Sequence, residues 1–338
     1  MAKFWQFRTL PLLATLLLSL LVACKRQPAE APAPAATTPA AAPAALTKVR
    51  LQLNWFPEPE HGGYYQGLLK GYYRDAGIDL EIITGGPSTP VESQVASGGV
   101  EFGLGTGDRL LITRAEGAPL VALLAPYQTF PRCLVVSEDS PAKTLADIKD
   151  MRLIANETQP FMAWLKHSTG LPGVEILPYK GGLALFVQNP VGAIQGYVNS
   201  EPLVLQHKGV KTRALMLADA GYNPYTSLLL VSEKLLGDNP DLVGRMVKAS
   251  RQGWEEYLSD PKLANAELKR LNPEMEDFIL TEGMAKLKEL MAVPAGQGPF
   301  GSMTEARWQK LREQLLACGA LKPVTEPISA AFSNRFNP

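Results

Sequence analysis

"VEFGLGTGDRLLITRAEG", Val100 to Gly117, decides the fold once it is laid beside "AIQGYVNSEPLVLQHKG", Ala193 to Gly209. Each begins as a short apolar run ending at a glycine, Gly103 or Gly196. Each places an acid five residues on, Asp108 or Glu201, and continues as helix-like sequence to a second glycine, Gly117 or Gly209. A strand, a turn carrying an acid and a helix make the first part of a βαβ unit. Its recurrence predicts two lobes of similar α/β topology. In open α/β sheets ligands sit beyond the carboxyl ends of the strands, so two facing lobes would aim Asp108 and Glu201 at a shared cleft. Both acids also suit helix N-termini, where a carboxylate meets free N–H groups and the positive end of the dipole.

Working outward, short apolar runs alternate with helix-like segments. Strands are expected at Val49–Leu53, Ile78–Ile83, Val100–Leu104 and Leu120–Pro126, with helices at Tyr64–Tyr73, Pro90–Ser97 and Asp108–Glu116. Gly71, Gly77, Gly98-Gly99 and Gly117 punctuate them, which argues for an α/β layer with a mainly parallel sheet. A second set of strands is expected at Cys133–Ser137, Arg152–Ala155, Val174–Leu177, Ile194–Val198 and Ala214–Leu217. Another apolar run spans Ser227–Ser232. After Asn239-Pro240 the pattern changes to long helices, with Asn239 as a cap and Pro240 in the first turn. Ser302 and Glu305 have the spacing of a capping box for a last helix. Trp164, Trp254 and Trp308 fall on apolar helical stripes and read as core, whereas His167 and His207 read as solvated.

The first residues have another logic. Lys3 and Arg8 precede Thr9–Ala23, an uncharged run rich in Leu and Ala. Fifteen residues fall short of the ~30 Å needed to span a bilayer, so residues 1–23 read as a signal peptide. Leu21-Val22-Ala23-Cys24 resembles the bacterial lipobox, which makes Cys24 the expected lipidation site. Acyl chains such as palmitate would then anchor the chain to the membrane. Residues 24–46, rich in Ala and Pro, read as a disordered tether.

Composition excludes several classes. Lys plus Arg and Asp plus Glu both number 33, and no basic cluster appears, so nucleic acid is not an expected partner. No CxxC, HExxH or clustered His/Cys set occurs, so no metal and no cofactor is expected. "GLGTG", Gly103 to Gly107, lacks the GxGxxG spacing, and no Walker lysine follows it. Cys133 and Cys318 read as two buried thiols, their pairing left open.

"LNWFPEPEHGGYYQG", Leu53 to Gly67, places Trp55, Phe56, Tyr64 and Tyr65 with His61 and two prolines just after the first strand. A flat ligand needs rigid aromatic walls and a few convergent polar groups. Trp55 is therefore the expected stacking wall and His61 a hydrogen-bond partner. Phe56, Tyr64 and Tyr65 read as packing for the first helix.

"LNWFPEPEH", "KGYYRDAGIDLEI" and "GVEFGLGTGDRLLITRAEGAPLVALLA" together resemble the family of periplasmic binding proteins and synthases for the thiamine pyrimidine. The resemblance covers Lys48 to Pro338 and implies a two-lobed α/β fold, the type II periplasmic-binding or Venus flytrap architecture. Hinge crossings are implied near Phe130–Cys133 and Ser227–Ser232. Lobe 1 would comprise residues 47–131 and 233–338, and lobe 2 residues 132–232. The synthase branch carries a cysteine-rich run where this chain has Tyr222-Asn223-Pro224-Tyr225-Thr226. It has its lysine and histidine where this chain has Gly105 and Arg109. No enzyme activity is therefore expected.

The binder branch implies a lipoprotein of the cell envelope that faces the periplasm and serves the permease and ATPase subunits of an ABC importer. The hinge motion implies a monomer. In related pyrimidine-precursor binders an aromatic residue and an acid contact the ligand where this chain has Tyr197 and Glu201. Tyr222, Asn223 and Tyr225 would close the cleft near the hinge, and Gln128 precedes the first crossing. The expected ligand is a small heteroaromatic such as a thiamine pyrimidine precursor. The alternatives are a riboflavin-like vitamin, or a small anion (taurine, sulfonate or nitrate) held by Arg109, Arg132 and the Gly85-Gly86 loop. "YKGG", Tyr179 to Gly182, departs from the pyrimidine binders and leaves the exact ligand open. A sensor, or a protein feeding a membrane enzyme, is a further alternative to transport.

Overall fold

A computed structural model describes residues 45–188, 190 and 192–337. The signal segment, Cys24 and most of the tether lie outside the described residues. From Thr47 the chain lays down β1 (Thr47–Gln52), β2 (Ile78–Ile83), β3 (Phe102–Gly105) and β4 (Leu120–Leu124). It then crosses to a second lobe of β5 (Arg132–Ser137), β6 (Arg152–Ala155), β7 (Glu175–Pro178), β8 (Ala193–Tyr197) and β9 (Thr212–Met216), and returns as β10 (Leu228–Ser232). The first sheet has the order β2-β1-β3-β10-β4 and the second β7-β6-β8-β5-β9.

Both sheets are mixed. β10 runs antiparallel to β3 and β4, and β5 runs antiparallel to β8 and β9. These are the strands that follow the two crossings, where the chain enters a lobe from the hinge side instead of through a βα turn. The expected parallel sheet therefore holds only for the strands linked by helices. β10, which the sequence reading placed at the end of the second lobe's segment, is hydrogen-bonded into the first sheet. All five of its residues are buried, which explains its continuous apolar run.

Short helices link the strands: α1 (Gly62–Leu69), α2 (Tyr72–Asp75), α3 (Val91–Ala96) and α4 (Gly107–Ala115) in the first lobe. In the second lobe they are α5 (Pro160–Thr169), α6 (Ala184–Gln188) and α7 (Glu201–His207). The recurring motif folds as read, β3 into α4 and β8 into α7. The single helix expected over Tyr64–Tyr73 is broken at Gly71, whose φ of +81° suits glycine and ends α1.

After β10 come α8 (Glu233–Asp238), α9 (Pro240–Ser259), α10 (Lys262–Leu271), α11 (Asp277–Met291) and α12 (Glu305–Ala317). Asn239 caps α9 as expected, its Oδ1 accepting from the Leu242 N–H at 3.1 Å. The expected Ser302 cap fails. Thr304 precedes the first turn of α12, and Ser302 is buried with its carbonyl accepting from Gln128 Nε2.

Trp254 and Tyr257 of α9 pack directly over Gly62 and Gly63 of α1. A Cβ on Gly63 would lie 2.1 Å from the Trp254 ring, and one on Gly253 would lie 2.3 Å from the Gly63 carbonyl oxygen. Tyr64 meets Trp254 edge-on at 5.6 Å. A second apolar cluster runs from Leu110 and Trp308 through Phe130 and Tyr222 to Leu134 and Phe161, so buried side chains continue through the hinge. Trp164 also belongs to it, stacked on Tyr222 at 4.9 Å. Cys133 and Cys318 are both free; Cys133 is buried, but Cys318 keeps partial exposure.

Candidate ligand-binding cleft

The loop after β1 is held by its own polar groups. His61 is fully buried. Its Nδ1 accepts from the Glu58 N–H at 3.2 Å, and its Nε2 lies 3.1 Å from Asn54 Oδ1 and 3.0 Å from Glu60 Oε1. Asn54 Nδ2 donates to Glu60 Oε1 at 3.0 Å, and Asn272 Nδ2 donates to the Pro57 carbonyl at 3.1 Å. Both ring nitrogens of His61 are therefore engaged within the chain. Its place is that of a brace for the loop, not the ligand partner the sequence reading made it.

The brace presents Trp55 towards the opposite lobe. Trp55 is partly exposed and meets Phe56 edge-on at 5.5 Å. A Cβ on Gly181 would lie 3.6 Å from the Trp55 ring, so the "YKGG" loop of the second lobe closes against it. Gly181 has φ +85°, a conformation that keeps that wall free of a side chain. Phe56, read as helix packing, is instead exposed.

Across the cleft, Glu201 opens α7. Its Oε2 accepts from the Tyr197 N–H at 2.6 Å and its Oε1 from the Tyr179 hydroxyl at 3.2 Å. Burial raises its pKa, more than the Tyr197 N–H and the Arg132 charge pull it down. Glu58 keeps some solvent-facing surface but is enclosed by protein on the scale that sets ionisation. Burial first, then the charges of Glu60 and Glu201, raise its pKa well above the ordinary range. Glu60 goes the other way. Burial would raise it, but His61 and the hydrogen bonds from His61 and Asn54 outweigh that and hold it below the ordinary range. Burial likewise lifts the Tyr197 phenol to about 12, against the pull of Arg132.

Arg132 stands at the start of β5, paired in register with Tyr197 of β8. Its guanidinium carbon lies 4.3 Å from the Tyr197 ring centroid and 5.3 Å from that of Phe161. Beside it, Thr226 bridges to Tyr127, and Asn199 Nδ2 donates weakly to the Tyr127 hydroxyl at 3.4 Å.

The other expected contacts are framework. Asp108 accepts from Thr106 Oγ1, from the Arg109 N–H at 2.8 Å and from the Tyr222 hydroxyl at 2.7 Å, which engages both its oxygens. Gln128 is buried and donates to the Ala125 and Ser302 carbonyls. Asn223 Oδ1 accepts from the Phe130 N–H at 2.7 Å and from Arg307 at 3.0 Å. Tyr225 accepts from the Thr304 N–H and lies under the Arg307 guanidinium at 3.8 Å. Arg307, which nothing in the sequence singled out, also donates to the Gln128 carbonyl and so joins both crossings. Burial lowers its pKa to about 10. The structure thus gathers Trp55, Tyr197 and Glu201 with Glu58, Arg132 and Tyr179, and engages His61, Asp108, Gln128, Asn223 and Tyr225 with the chain's own polar groups.

Two α/β lobes joined by two crossing segments have the fold of the type II periplasmic-binding proteins. The family described as NMT1/THI5 like matches residues 58–264, and the chain belongs to that family. The chain is 26% identical to the riboflavin-binding protein RibY of Chloroflexus aurantiacus, over 96% of this chain and 97% of that one. It is 24% identical to the formylaminopyrimidine-binding protein of Halalkalibacterium halodurans, over 79% and 84% of the two chains. The alkanesulfonate-binding protein SsuA of Xanthomonas axonopodis pv. citri, bound to MOPS, shares the fold. Its TM-score is 0.64 at 15% identity, over 87% of this chain and 99% of that one. The relatives of the chain include binding proteins and 4-amino-5-hydroxymethyl-2-methylpyrimidine phosphate synthases. Tyr222, Tyr225 and Thr226 serve in packing and hydrogen bonding where the chain passes between the lobes.

Proposed function

We propose that the protein captures a small heteroaromatic solute of the vitamin or vitamin-precursor type between its lobes and delivers it to an ABC permease and ATPase. The observation that carries this reading is the presence of aromatic side chains on both lobes near the polar cluster of Glu58, Tyr179 and Glu201. Trp55 stands on the braced loop of one lobe, and Tyr197 with its stacked Arg132 stands on the other. Such side chains gain from flat ring contact, about 0.5–1.5 kcal/mol per aromatic pair beyond area burial. The similarity to a riboflavin binder and to a formylaminopyrimidine binder supports the same class, and the two relatives name the solutes to test first. In this reading Cys24 carries the lipid that holds the protein, as a monomer, at the cell envelope, facing the periplasm.

The test is a thermal-shift screen with riboflavin, thiamine, pyrimidine precursors, taurine and nitrate. A ligand at a hundred times its Kd stabilises by about 2.7 kcal/mol. A shift from a flat ring that weakens roughly tenfold or more in Kd with Trp55→Ala is the expected result. A shift from taurine or nitrate alone would overturn the reading in favour of an anion site.

A further inference from the structure

Arg132 is a half-buried cation without an ion pair. No carboxylate among the described residues forms a salt bridge with it, and its Nε is buried with no hydrogen-bond partner. Yet its charge is felt by Glu60 of one lobe and by Glu201 and Tyr179 of the other. An arginine fork left unmatched between two rings is costly unless something completes it. Asn199 Oδ1, on a residue 4% exposed, is likewise buried without a partner, and the Thr226 hydroxyl, on a residue with no solvent exposure, has only a poorly formed contact with the Tyr197 phenol. The groups are contiguous: Arg132 pairs with Tyr197, Thr226 lies by the Tyr197 phenol and bridges to Tyr127, and Asn199 reaches Tyr127.

We infer that Arg132, Thr226 and Asn199 form the subsite that reads the polar edge of the ligand, and that this edge belongs to a carbonyl-bearing ring of the imide or lactam type. The inference rests on the aromatic-ligand reading above and adds which edge chemistry is selected. A ring carbonyl accepts from the Arg132 fork and from the Thr226 hydroxyl, and an adjacent ring N–H donates to Asn199 Oδ1. An aminopyrimidine edge would instead turn an amino donor towards Arg132, which has no lone pair to offer it. A full anion would satisfy Arg132 but would meet the ionised Glu60 nearby. Unpaired buried polar groups of this kind reject a ligand lacking the matching atoms far more strongly than apolar walls do.

The experiment measures Kd by tryptophan fluorescence on the full chain with four probes: lumiflavin, its N3-methyl derivative, 4-amino-5-hydroxymethyl-2-methylpyrimidine and taurine. The inference predicts that lumiflavin binds at least tenfold more tightly than the other three. Arg132→Met is expected to lose at least tenfold for lumiflavin, and Thr226→Val at least threefold. Without ligand, Arg132→Met is expected to melt no lower than the parent, because it removes an unpaired cation. If Arg132→Met fails to fold, the arginine is structural and the inference is overturned. It is also overturned if lumiflavin binds and both variants leave its Kd unchanged, or if the aminopyrimidine or taurine binds more tightly than lumiflavin. Failure of every aromatic probe to bind would instead overturn the aromatic-ligand reading itself.

Discussion

Glu58 shows how far a residue's chemistry depends on what surrounds it. In the sequence it is one acid in a proline-rich turn. In the fold, burial and the carboxyls of Glu60 and Glu201 raise its pKa well above the ordinary range. A raised pKa means that folding favours the protonated form. Its contribution is complete below the unfolded pKa and is lost as pH rises through the folded one. Glu58→Gln, fixed in the neutral state, is therefore expected to match the parent in acid and to exceed it in stability at neutral and alkaline pH. Urea unfolding across that range checks this, and an advantage independent of pH would contradict it. Glu60 has the opposite sign, since its lowered pKa gives stability that is lost as pH falls, so the two windows do not overlap. Residue type was legible at this scale, and Trp55 and Glu201 do come close to one another through Glu58. Partners were not legible. His61, Asp108 and Asn223 have the right chemistry for a ligand, but the chain's own donors and acceptors occupy them.

At the scale of elements, the glycines of α1 and α9 act through what they leave out. Ala normally exceeds Gly in a helix by about 1 kcal/mol. At Gly253 the added Cβ would stand 2.3 Å from the backbone oxygen of Gly63, and backbone on a packed helix yields little. Overpacking of that kind costs about 1–3 kcal/mol, so Gly253→Ala is expected to destabilise on balance. Gly237 in α8 has nothing within 4 Å of a Cβ; Gly237→Ala is expected to stabilise by about 0.5–1 kcal/mol. Denaturant midpoints of the two variants should therefore move in opposite directions. The recurring strand, acid and helix motif was readable because its signals are local. The antiparallel direction of β5 and β10 was not, because an apolar run reads the same in either direction.

At the scale of the molecule, α11 carries the first lobe's helical layer onto the second. Phe278 stacks on His207 of α7 with centroids 3.9 Å apart, and a Cβ on Gly283 would lie 3.1 Å from the Asn199 carbonyl oxygen. This contact joins helices of the two lobes through a ring stack and the Asn199 backbone. Gly283→Leu is expected to wedge α11 from α7 and populate open forms, weakening apparent affinity roughly tenfold as the competent fraction falls. The association rate for ligand should change little. Small-angle scattering should show a larger radius of gyration for the liganded variant than for the liganded parent; equal radii and equal Kd would remove α11 from closure.

The sequence by itself determined the two α/β lobes and the aromatic loop after the first strand. Periodicity, glycine punctuation and proline stiffness act between neighbours along the chain. Only the tertiary structure decided which polar groups remain spare for a ligand. Arg132, Thr226 and Asn199 come from separate segments, and whether a buried donor or acceptor is satisfied depends on every group folded against it.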